Sequence, residues 1–164
     1  VGGLALTTEQ VGFAYCTIGV LMLTLGGLLG GFLAARHGLK RWILWMVFAI
    51  NLPNPVNIFL STVLPESLLI INVAIGIEQF GYGFGFAAYM LYMLYISDGE
   101  HETAHYAICT GFMALGMMIP GMFSGWFQEL IGYQYFFFWV LAATVPSFVV
   151  TALIPLDRNF GRKT

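Results

Sequence analysis

The feature that most constrains this chain is the placement of its charges, which fall in short clusters and leave five long uncharged or nearly uncharged intervals at 11–35, 42–63, 67–96, 106–128 and 135–154. A helix needs about 20 mostly apolar residues to cross a hydrocarbon core of about 30 Å, and each interval is long enough. Only the third carries a charge, Glu78. The composition agrees: 59% of residues are hydrophobic and 9% charged, with a mean hydropathy of +0.84. Six Lys and Arg with eight Asp and Glu cannot clothe a soluble core of 164 residues. The expectation is an all-α, polytopic membrane protein with five transmembrane helices in a lipid bilayer. A net charge of −2 offers no footprint for nucleic acid.

The connections between intervals are short and rich in turn residues, so successive spans are expected to be antiparallel neighbours. Arg36, Lys40 and Arg41 lie in the first connection, while Arg158, Arg162 and Lys163 follow the last span. Alternating spans put both groups on one side, the cytoplasmic side by the positive-inside rule. The amino end is then external. The chain opens at Val1 without a signal-peptide pattern, and it is expected to be part of a longer protein.

In lipid, helices approach closely through small residues. The first span has overlapping pairs in Gly26-Gly27-Leu28-Leu29-Gly30-Gly31, and the fourth has Gly111, Gly116, Gly121 and Gly125. These point to the first, third and fourth spans as the inner, tightly packed helices. Cys16 and Cys109 sit in apolar runs and read as small core residues.

Three polar features interrupt the apolar runs. The second span contains Asn51-Leu52-Pro53-Asn54-Pro55, where two prolines remove backbone donors and open the helix. Asn51 and Asn54 there are either substrate contacts or amides that satisfy freed carbonyls. Glu78, beside Gln79, is costly in lipid by about 2.5–3.5 kcal/mol and must face the protein interior. At helical spacing Glu78, Tyr82, Gly85, Tyr89 and Tyr92 share a face. That stripe reads as a solute and proton pathway or as an aromatic packing face with Glu78 as a tether. The third feature is His101-Glu102-x-x-His105 in the stretch 97–105, which has zinc-protease spacing but lacks a third ligand. The alternative reading is an acidic loop in which Asp98 or Glu100 caps the following helix. No metal or other cofactor is expected.

The run from Gly31 through Arg36, Gly38, Lys40 and Arg41 resembles the cytoplasmic loop motif of the major facilitator superfamily, with Ala35 in place of the acid and Leu39 in place of a basic residue. The form is similar to the second-half copy of that motif. The resemblance implies helices eight to twelve of a twelve-helix transporter, with the amino-terminal half as a missing partner. The runs from Glu78 to Tyr89 and from Gly121 to Trp126 are similar to the AmpG-like muropeptide permeases and the acetyl-CoA transporter group. This implies a permease rather than an enzyme: a proton symporter of the inner membrane that takes up a sugar- or peptide-containing solute such as anhydromuropeptide during peptidoglycan recycling. Two other functions remain beside it, an intramembrane zinc metalloprotease using His101, Glu102 and His105, and a noncatalytic subunit of a membrane complex.

Overall fold

The computed structural model of the chain describes residues 7–63, 67–157 and 160–161. The Pro65-Glu66 turn and the basic residues Arg158, Arg162 and Lys163 lie outside the described residues. Among the described residues every regular element is helical. The protein is an all-α, multi-pass membrane protein.

Thr7 starts the first helix with a capping box, its N–H donating to Gln10 Oε1 at 3.0 Å while the Gln10 N–H donates to Thr7 Oγ1 at 3.3 Å. The helix runs as α1 (Thr8–Phe13), a π-helical segment (Ala14–Gly19) and α2 (Val20–His37). Gly38, with φ of +86°, ends it, and α3 (Leu39–Asn51) turns back at once. Only glycine adopts that backbone without strain. Pro53 then divides the second apolar interval. Its missing donor breaks the ladder, Leu52 N–H falls back to the Ala49 carbonyl at 3.2 Å, and α4 (Pro53–Val63) follows.

The two longest helices are α5 (Leu68–Ser97) and α6 (Glu102–Ile131), each of 30 residues, or about 45 Å at 1.5 Å per residue. Both, with the Glu9–His37 helix, are long and apolar enough to cross a membrane. The fifth interval is divided like the second: α7 (Tyr133–Ala143) ends at Thr144, whose hydroxyl donates to the Leu141 carbonyl at 2.7 Å, and α8 (Val145–Leu153) carries Pro146 in its first turn.

Helix α5 is the axis of the bundle, packing most extensively on α2 and then on α3. Glycines make this possible. A Cβ on Gly26 would strike the Phe80 carbonyl oxygen, and one on Gly83 would strike that of Leu23. On its other side α5 meets α3 through Gly81 and Gly85. The Gly81 position lies against the Ala49 carbonyl, the group whose usual donor Pro53 removes. The prolyl break and the glycine gap therefore meet at one carbonyl, which keeps only the Leu52 N–H as donor and packs against a backbone that approaches without a side chain.

Two expectations are corrected here. Within this chain helix α6 is not packed inside: none of its residues is buried, and Gly111, Gly116, Gly121 and Gly125 have nothing of the described residues within 4 Å. Their first two spacings are five residues rather than four, which spreads them around the helix instead of lining one stripe. Neither Asp98 nor Glu100 caps α6. The cap position is His101, without a side-chain hydrogen bond, and Glu102 is the acid of the first turn.

Candidate functional site

The polar residues of the apolar spans gather around α5, on three different neighbours. Glu78 and Gln79 lie against the π-helical segment. A Cβ on Gly19 would sit 3.2 Å from Gln79 Cγ. The wider turn of a π-helix shifts the side chains that follow it. Ala14 packs with Ile71 and Ile75 in a small buried cluster one turn away, which fixes the segment against α5.

The aromatic stripe does not serve a single neighbour. Tyr82 stacks on Phe86 with centroids 5.8 Å apart and lines a groove of about 270 Å³ with Leu23 and Gly27 of α2. Gly85 is taken up by the contact with Met46 and Ile50 of α3. Tyr89 and Tyr92 line a different groove of about 590 Å³, whose other walls are α3 and α8. The seam against α3 runs along the stripe, so residues on one face of α5 are shared between the grooves on its two sides.

The 590 Å³ groove holds the main constellation. From α3 it takes Asn51, from α5 Tyr89 and Tyr92, and from α8 Ser147 and Thr151; Ile154 stands at one end. Its volume falls in the range of about 300–1,000 Å³ typical of small-molecule sites, and a mostly apolar wall with a few polar groups is the usual pattern. Asn51 Nδ2 donates to the Val47 carbonyl at 2.8 Å, within its own helix rather than to a carbonyl that proline frees. Its amide oxygen has no such bond to its own helix. Thr151 Oγ1 donates to the Ser147 carbonyl at 2.7 Å and Ser147 Oγ to the Thr144 carbonyl at 2.6 Å, so both hydroxyls keep lone pairs that can accept from a ligand. Asn54 is half-buried on α4 and does not line this groove.

Of the loop motif, Arg36, Lys40 and Arg41 are exposed, Gly38 is buried at the turn, and Gly31 has open space beside it. The rings of His101 and His105 are 6.5 Å apart and exposed. Among the described residues no group of three His, Cys, Asp or Glu is placed to hold a metal, so the imidazole pair lacks the third ligand that a catalytic zinc requires.

Sequence reasoning missed Ser147 and Thr151. The α8 pair carried a usable signal, two hydroxyl residues four apart beside Pro146 in an otherwise apolar span.

No family model matches the chain. It is 25% identical to the anhydromuropeptide permease of Escherichia coli K12 over 160 residues, which is 98% of this chain and 32% of that protein. It is 27% identical over 132 residues to the protein named transporter AmpG 1 of Rickettsia felis, covering 80% of this chain and 30% of the relative. With the protein named transporter AmpG 2 of Rickettsia typhi it shares 20% over 153 residues, or 93% of this chain and 37% of the relative. This chain resembles the AmpG permeases along nearly its whole length. It spans about a third of the length of these curated relatives. The resemblance to AmpG permeases therefore takes in α5, the groove and the α2–α3 turn together, rather than one motif.

Proposed function

We propose that the intact protein is a secondary active transporter of the major facilitator superfamily, located in the inner membrane, that imports anhydromuropeptide or a closely similar sugar–peptide solute together with a proton. The observation that carries this reading is the alignment of 98% of the chain with the anhydromuropeptide permease of Escherichia coli. The groove supports it with chemistry suited to such a solute: phenol faces for a sugar ring, with an amide and two hydroxyls for its oxygens. In this reading the five apolar intervals are helices eight to twelve, and the amino-terminal half supplies the opposite wall of the pathway. Glu78 is the proton carrier, because a carboxyl group at membrane depth is functional by default. Two halves rocking about a site near the midplane would expose it to each side in turn.

The test is uptake of labelled anhydromuropeptide into vesicles containing the intact protein under an imposed pH gradient. The parent accumulates the solute above its external concentration. Glu78→Gln keeps shape and hydrogen bonding but cannot carry a proton, so it equilibrates the solute without accumulating it. Absence of any uptake by the parent overturns the transport reading. Accumulation by Glu78→Gln equal to the parent makes the carboxyl a tether between helices instead. The protease reading predicts stoichiometric zinc held by His101 and His105; the relatives are named as permeases and transporters, and among the described residues the donor set falls short of three.

A further inference from the structure

After α8 the described residues stay against the bundle. Leu156 is buried at 4% exposure in the main core cluster, beside Leu39 and Ile43. The chain then turns, with Phe160 N–H directed to the Asp157 carbonyl at 3.4 Å, and the Phe160 carbonyl accepts from Leu39 N–H at 3.0 Å. Leu39 is the first residue of α3, where a helix leaves its backbone donors unpaired. The tail thus supplies an acceptor that no side chain at Gly38 provides. The Phe160 ring meets Tyr95 edge to face at 4.7 Å, and Tyr95 in turn stacks on Tyr92 at 6.3 Å. Gly161, at φ +81°, passes 3.7–3.9 Å from Ala34 and Leu39, measured from a Cβ placed on it.

We infer that the described residues after α8, 154–157 and 160–161, act as a strap that closes one end of the 590 Å³ groove and latches the groove to the α2–α3 turn. Three contacts carry this inference. The first strap residue, Ile154, is itself a wall of the groove. Tyr92 is both a groove wall and the near end of the ring series Tyr92–Tyr95–Phe160. The far end of that series is held by the backbone hydrogen bond to Leu39. A solute that displaces the Tyr92 ring therefore pushes on the strap, and through it on the turn that carries Arg36, Lys40 and Arg41. The strap is a local unit whose opening is independent of global unfolding. Its role in closing a solute site rests on the permease reading, whereas its existence as a latch does not.

Thiol labelling of the intact protein tests the latch without a transport assay. Cys16 and Cys109 are first replaced by Ser, because both are free thiols. Ala34→Cys, at 1% exposure beneath the strap, then reports on the latch, and Ile75→Cys, at 4% exposure in the separate cluster with Ala14 and Ile71, reports on the remainder of the bundle. Adding Phe160→Ala is expected to speed maleimide labelling at position 34 by about tenfold and to leave position 75 unchanged. Gly161→Val, which opposes the positive φ, is expected to do the same. Equal rates at position 34 with and without these changes, or equal acceleration at both positions, overturns the inference. Failure of uptake with intact latch behaviour would instead count against the permease reading alone.

Discussion

Helices α2 and α6 are both long, apolar and rich in glycine, yet their glycines end in opposite surroundings. In α2, Gly26 and Gly30 repeat every four residues and meet α5 so closely that a methyl group at Gly26 would collide with backbone. In α6, Gly111, Gly116, Gly121 and Gly125 meet nothing within 4 Å. What separates them is register and a partner with matching gaps. In α2, Gly26 and Gly30 form one ridge, and α5 answers with Gly83 opposite Leu23. The α6 glycines point in several directions, and its link to α5 includes a long contact from the Tyr106 hydroxyl to Met90 Sδ at 3.5 Å. Glycine content alone therefore does not identify an inner helix.

The comparison can be broken most sharply at the seam. Gly83→Val places a branched Cβ where the Leu23 carbonyl stands, and backbone cannot yield as a flexible side chain can. The expected loss is about 3 kcal/mol or more, read as a lower thermal midpoint in detergent or as failure to accumulate in the membrane. A midpoint equal to the parent's would mean that α2 and α5 are not in backbone contact. The smallest expected effect lies on α6, where Gly116→Ala adds a methyl group in open space and removes the helix penalty of glycine. The expected gain is about 0.5–1 kcal/mol. A clear loss of stability there would show that the α6 face is packed tightly in the intact protein.

Much of the fold is legible in the sequence because lipid imposes a simple rule: backbone groups must be satisfied within each helix. The charge gaps therefore outline the apolar helices, and Pro53 and Pro146 mark the two that divide. The glycine ridge of α2 is visible for the same reason, as a strict four-residue repeat. The groove is less legible, since Asn51, Tyr92 and Thr151 come from three helices whose rotation about their axes is set by packing and not by local pattern. The stripe Glu78, Tyr82, Tyr89 and Tyr92 is a correct reading of helical period, but periodicity could not show that the α3 seam divides it between two grooves. The strap is illegible for a different reason. Its contacts join positions 39 and 160 through a backbone hydrogen bond that any residue pair could make.

The central claim is that the groove between α3, α5 and α8 holds the solute, and the tyrosines of α5 test it most directly because Tyr82 lines one groove beside that helix while Tyr89, with Tyr92, lines the other. The measurement is the initial rate of labelled anhydromuropeptide uptake against concentration, for the intact protein and for Tyr89→Ala and Tyr82→Ala. Removing the Tyr89 ring from the 590 Å³ groove is predicted to raise KM about tenfold by loss of one stacking face, while Tyr82→Ala leaves KM within about twofold. A KM unchanged in Tyr89→Ala, or raised only in Tyr82→Ala, would contradict the account and move the solute site to the α2 side of α5.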